Sequence, residues 1–168
     1  MDRAQRLIVL ACTATKRADP HPLLAIRRYD GPSFCTLRKW QAANPTSAAQ
    51  LDVWILSAKH GLITADALIS DYNQRMTPNR AVELRQSVRC ALAYIVAQCG
   101  SYSATLIHLG QDYLPALTLE QIQTAPFGVV TLTTGGIGTR LGQLKAWLDD
   151  EMQQIQTSDW VARCQAHR

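Results

Sequence analysis

The sequence lacks any stretch that would divide or anchor it. No Ser/Gly-rich linker and no block of one charge interrupts its 168 residues, 47% of them apolar, so a single domain with one buried core is expected over 1–168. Long hydrophobic runs are missing as well. The apolar part of MDRAQRLIVLACTATK is too short to span a bilayer and is flanked by charge, which points to a cytoplasmic protein without membrane contact. No CxxC pair occurs among Cys12, Cys35, Cys90, Cys99 and Cys164, and an odd, scattered count fits reduced, mostly buried thiols. His21, His60, His108 and His167 show no ligand spacing with them, so neither a metal nor a cofactor is called for. Internal repeats and low-complexity segments are also absent.

Acidic residues are scarce in one part of the chain only. Residues 1–100 carry 13 Lys+Arg against 7 Asp+Glu, whereas 101–168 carry 4 against 6. This imbalance permits a phosphate-bearing partner, and Arg27, Arg28, Arg38, Lys39, Arg85 and Arg89 are its candidate surface. A solvated basic face without a partner is the competing reading.

What the sequence has is alternation. LIVLA (7–11), DVWILSA (52–58), ATLIHLG (104–110) and GVVTLTT (128–134) are short runs rich in Val, Ile and Leu, as in strands covered on both faces. Helical patterns lie between them. One starts near Ser33 and buries Phe34, Leu37 and Trp40; the clearest runs from the N-cap Thr77 and Pro78 through Leu84, Val88, Ala91, Leu92, Ile95 and Cys99 to Gly100. The last follows the glycines with Leu141, Leu144, Leu148, Met152 and Ile155. The expected fold is α/β, a mainly parallel central sheet with helices on both faces.

Ligands of such sheets bind outside the carboxyl ends of the strands. The four strand tails are ACTATKR, LSAKHG, HLGQDY and TTGGIGTRLG, all polar and each with a small residue or a donor. In the last, Gly136 and Gly138 precede a helix and Arg140 adds charge, a setting for an anion. Its spacing matches neither the dinucleotide GxGxxG nor a P-loop. The second tail offers Lys59 and His60 as proton carriers, with Asp71 to set their charge and Tyr72 and Arg75 a loop away. Each of these also has an ordinary structural role. Cys12 lies near Lys16, but no His or Asn is identifiable as its partner, and a buried inert thiol is the competing reading.

LSAKHGLITADALISDYNQRM resembles the signature of the YaaA family of bacterial peroxide-stress proteins, at Leu56, Ser57, His60, Gly61, Leu62, Ile63, Leu68, Ile69, Tyr72 and Met76. LIVLACTATK resembles that family's opening strand and HLGQDYLPAL, with Tyr113, a later one. Short uncharacterised bacterial proteins with Cys-Thr-x-x-Lys, then RYDGPSF and LSAKHGLI, resemble the chain over most of its length. YaaA proteins are longer and often have Pro where Asp71 stands, so their helix-hairpin-helix-like DNA-binding element is not carried over. The resemblance implies an α/β relative of a DNA-binding protein of stress protection. More distantly, the Cys-Thr-x-x-Lys arrangement is similar to a domain of archaeal enzymes that modify 7-deazaguanine in transfer RNA.

Two functions follow as expectations. One is a nucleic-acid-binding accessory protein of YaaA type, taking DNA or RNA. The other is a small enzyme acting on a nucleoside or nucleotide, of N-glycosidase or base-modifying type. In both, the ligand-binding candidates are Cys12, Thr13, Lys16, Tyr29, Ser57, Tyr72, Arg75, Gly110, Asp112, Tyr113, Gly136, Gly138 and Arg140, and the catalytic candidates Lys59, His60 and Asp71. Tyr72 is expected to stack on a planar ligand, with Arg75 pairing its anionic group.

Overall fold

A computed structural model describes residues 5–122 and 125–150. The expected helix positions Met152 and Ile155, and Cys164 and His167, lie outside the described residues.

The four apolar runs form strands β1 (Gln5–Ala11), β3 (Leu51–Ser57), β6 (Tyr102–His108) and β7 (Val129–Leu132). They pair in parallel, in the order β3-β1-β6-β7, and β4 (Gly61–Thr64) adds an antiparallel edge beside β3. Leu7, Ile8, Val9 and Leu10 of the central strand are wholly buried, as a strand covered on both faces requires. The fold class is the expected one.

Between β1 and β3 the chain forms a two-residue strand β2 (Leu23–Leu24), a turn of helix α1 (Ala25–Arg28), α2 (Pro32–Ala43) and α3 (Pro45–Ala48). Pro32 stands at the start of α2, and Phe34, Leu37 and Trp40 are its buried residues. Strand β5 (Leu68–Ile69) pairs with β2 outside the main sheet. Helix α4 (Pro78–Cys99) is capped by the Thr77 side chain, which accepts from the Arg80 N–H, and it buries Leu84, Val88, Leu92 and Ile95. A 3-10 turn (Gln111–Ala116) packs on α4; α5 (Leu119–Ile122) precedes β7, and α6 occupies 137–150, burying Leu144 and Leu148. No helix among the described residues is long and apolar enough to cross a membrane.

This order fixes where the edge opens. The crossover from β1 goes to one neighbour, β3, and the chain then returns past β1 to its other neighbour, β6. Right-handed crossovers in opposite directions put α2 and α4 on opposite faces, so the loops leaving β1 and β6 diverge. A crevice must lie between Cys12 and Gly110.

Two expectations change. Gly61 does not send the chain across the crevice mouth: with φ +74° it closes a hairpin in which Ser57 pairs with Gly61, and the chain runs back along β3. It returns to the edge only near Asp71–Met76. Among the described thiols the expected burial holds for Cys12, while Cys35 is half-buried and Cys90 is exposed on the solvent face of α4.

Candidate functional site: a crevice at the carboxyl edge

The loop after β1 is held by the segment RYDGPSF. Arg28 is fully buried, and its guanidinium donates to the carbonyls of Arg17, Asp19 and His21. Arg38 donates to the carbonyls of Ile26 and Tyr29 and pairs with Asp30, whose carboxyl it holds below its usual range. Gly31 lies so close to Thr13 that an added Cβ would stand 2.5 Å from the Thr13 methyl. This chemistry corrects the basic surface expected from the sequence. Arg28 and Arg38 are spent on carbonyls inside the fold, leaving Arg27, Lys39, Arg85 and Arg89 of that set nearer solvent.

Towards β3 the edge is a chain of hydroxyl groups. Tyr29 and Tyr72 share a hydrogen bond of 2.7 Å, and Tyr72 another of 2.9 Å with the buried Ser57. The Ser57 oxygen also accepts from the Lys59 and His60 N–H groups, which ties the strand-end turn to the phenols. Arg80 braces the same turn by donating to the Ala58 carbonyl at 2.8 Å. Burial pushes the Tyr29 phenol up to about 12, against the lowering effect of its hydrogen bonds to Ser57 and Tyr72. Tyr72 and Tyr113 are pushed well above their usual value, first by burial and then by the neighbouring Cys12. All three remain neutral hydroxyl groups at physiological pH. Tyr113 donates to the Cys12 carbonyl at 3.0 Å, with its oxygen 3.3 Å from Cys12 Sγ.

Tyr72 is not an open stacking platform. Lys16 Nζ lies 4.3 Å and Lys59 Nζ 5.5 Å from its ring centre, and the His60 and Tyr29 rings meet it edge-on at 5.3 and 6.4 Å. Nor is Asp71 what sets the charge of His60. It is exposed and accepts from the Tyr72 N–H, while His60 binds its proton less readily because of burial and then the Lys59 charge. A carboxylate partner would act in the opposite direction.

Towards β6 the edge is open. A hollow of about 530 Å³ is lined by Gly110, Asp112, Tyr113, Thr133, Gly135 and Arg140 among others. A second, of about 470 Å³, includes Cys12, Thr13, Lys16, Arg75, Asp112 and Tyr113. A third, of about 240 Å³, joins Cys12 and Thr13 to Ser33, His108, Gly110, Tyr113 and Arg140. Tyr113 is common to all three, so they form one crevice at the predicted switch point, in the size range of small-molecule sites. The Arg140 guanidinium lies against Gly110, and its Nε is buried with no hydrogen-bond partner among the described residues. Gly135 lines the hollow in the left-handed region at φ +89°; Gly136 and Gly138, the positions expected to face an anion, have open space where side chains would stand.

Two residues that sequence reasoning passed over complete the floor. Ser33, the second residue of α2, shares a hydrogen bond of 2.8 Å with Nε2 of His108, the last residue of β6. Burial, and then the Arg140 charge, lower the His108 imidazole to about 4. The available signal was position alone: His108 ends a strand at the carboxyl edge. The structure thus gathers Cys12, Thr13, Lys16, Arg75, Gly110, Asp112, Tyr113 and Arg140 around one crevice, with Tyr29, Ser57 and Tyr72 as its wall behind Cys12. Lys59 and His60 belong to the turn on Ser57. No group of three or more His, Cys, Asp or Glu side chains placed to hold a metal occurs among the described residues.

No curated protein matches the chain. Among solved structures, the crystal structure of AF0587, a protein of unknown function, has a similar fold, with a TM-score of 0.50 and 14% identity. The match covers 86% of this chain and 44% of that one, so the chain spans less than half the length of this structural relative. Residues 7–149, from the first core residue of β1 into α6, match a family of unknown function, DUF6884, and the chain belongs to that family.

Proposed function

We propose that the crevice binds a small anionic ligand of nucleotide or phosphorylated nucleobase type, and that Arg140 takes its anionic group. One observation carries this reading. The Arg140 guanidinium lies against Gly110 at the wall of an open hollow and makes no side-chain hydrogen bond or ion pair among the described residues, so its charge is free for a ligand. Lys16 and Arg75, in the adjoining hollow, add positive charge, and Tyr113 offers an aromatic edge between the two. Two of the six arginines and lysines expected to form a nucleic-acid surface are engaged inside the fold, which favours a small ligand over a long DNA or RNA. On the resemblance of Leu56–Met76 to the YaaA signature, the same proposal extends to a role in stress protection or nucleic-acid maintenance, in the cytoplasm.

A thermal-shift screen of phosphate, mononucleotides, nucleobases and short oligonucleotides tests it. A ligand at 100 times its Kd should stabilise the fold by about 2.7 kcal/mol. Mononucleotides are expected to raise Tm, and Arg140→Ala to abolish the shift while leaving the unliganded Tm unchanged or higher. A screen in which no phosphorylated compound acts, or an equal shift in the Arg140→Ala protein, refutes the reading.

A further inference from the structure

At the floor of the crevice both ring nitrogens of His108 have hydroxyl partners. Thr133 Oγ1 lies 3.2 Å from His108 Nδ1 and 3.4 Å from the Ile107 carbonyl. The carbonyl also accepts from the Thr133 N–H at 3.0 Å; in the tautomer on which the inference below is built, the Thr133 hydroxyl donates to that carbonyl and its oxygen accepts from Nδ1–H. Nε2 then carries the lone pair, and the Ser33 hydroxyl 2.8 Å away donates to it. A serine whose proton already points at a neutral imidazole, itself oriented by a third group, has the parts of an activated nucleophile.

We infer that Ser33 is a nucleophile and His108 its proton acceptor, and that together they act on an ester or activated acyl group carrying an anionic substituent. Arg140 lines the same hollow as both and is the counter-charge for that substituent, the one point at which the inference rests on the proposed binding function. Because Ser33 is the second residue of α2, its own N–H and that of Phe34 have no acceptor within the helix and are the donors for a developing oxyanion. His108 stays neutral at pH 7, since burial lowers its proton affinity. In the first step the Ser33 Oγ–H proton moves to His108 Nε2 as Oγ bonds to the acyl carbon, and the alcohol leaves with that proton. In the second, water gives a proton to Nε2, its oxygen bonds to the acyl carbon, and the Ser33 oxygen leaves and recovers the proton. Water is the sole co-reactant. Cys12, in the same hollow, has a phenol rather than a base beside its sulfur.

A fluorophosphonate probe tests the nucleophile directly, because attack by Ser33 Oγ forms a Ser–phosphorus bond and expels fluoride while His108 takes the proton. The folded chain is expected to carry one adduct, mapped to Ser33 by peptide mass spectrometry, and to hydrolyse p-nitrophenyl esters. Ser33→Ala should lose both. His108→Gln should slow labelling at least 100-fold. Should that variant not fold, Thr133→Val, which keeps the Ser33–His108 bond but removes the orienting acceptor, should slow it about tenfold. The absence of a Ser33 adduct on the folded chain, or labelling as fast in His108→Gln or Thr133→Val as in the parent, overturns the inference. Loss of nucleotide binding with labelling intact would sink the binding proposal and leave this one standing.

Discussion

On the β3 side of Cys12, polar groups answer one another, Arg28 Nε excepted, which is buried with no hydrogen-bond partner among the described residues. Tyr29, Tyr72 and Ser57 form a continuous hydroxyl chain, the Lys59 and His60 N–H groups end on Ser57, and Arg28 and Arg38 saturate the carbonyls behind them. On the β6 side the polar groups line space: Ser33 and His108 face a hollow, and the Arg140 guanidinium lines it without a side-chain hydrogen bond or ion pair among the described residues. Both sides are polar and both occupy the same sheet edge. The difference teaches that a cluster of functional side chains is not yet a site. A satisfied network rigidifies a fold, whereas an incomplete one keeps interaction energy in reserve for a ligand.

The sharpest way to break this contrast is to cut the closed side at its root. Arg28→Met keeps most of the side-chain volume but strips the carbonyls of Arg17, Asp19 and His21 of their donor. At about 1–3 kcal/mol for each unsatisfied group, a total loss of roughly 3–5 kcal/mol is expected in urea unfolding. Arg89→Ala, on the exposed face of α4, should change stability by less than about 0.5 kcal/mol. Equal effects would mean that Arg28 is not the internal brace described above.

Acid should weaken the open side next. The unfolded chain takes up a proton on His108 near pH 6.5, which the folded chain refuses until about pH 4. The stability this group contributes is therefore fully present above pH 6.5 and lost as the pH falls through 4. At 1.36 kcal/mol per pH unit the loss is about 3 kcal/mol. Urea midpoints between pH 7 and 4 should show a shallower decline in His108→Gln, whose side chain does not titrate. An identical slope would place His108 in a better hydrated setting.

The smallest expected effect separates wall from site. Tyr72→Phe removes one hydroxyl from the chain between Tyr29 and Ser57 and should cost about 1 kcal/mol of stability, read from denaturation midpoints. Its mononucleotide affinity should not change. A tenfold loss of affinity without loss of stability would move Tyr72 from the wall into the binding site.

Much of the wall's composition was legible because it is local in sequence. Leu-Ser-Ala-Lys-His-Gly places a buried serine, a short turn and a glycine at adjacent ladder positions, and the register Ser57↔Gly61 follows from a tight hairpin. The antiparallel return of β4 was not legible, since the polarity of Lys59 and His60 suits a crossover and a hairpin equally well. RYDGPSF could be quoted as a motif without its reason being visible. Only the fold shows that Gly31 is pressed against Thr13 and that Arg28 is internal.

By itself, the sequence determined the four parallel strands, the long capped helix and the convergence of polar tails on one edge, because hydrophobic period and capping chemistry act over a few residues. The tertiary structure decided which side chains meet there. Ser33 and His108 are 75 residues apart and Cys12 and Tyr113 are 101 apart, and a hydrogen bond over such a separation depends on strand order, which no local pattern encodes. The same strand order decided which arginines face water and which are spent inside, for charge is written in the sequence but burial is a property of the packed chain.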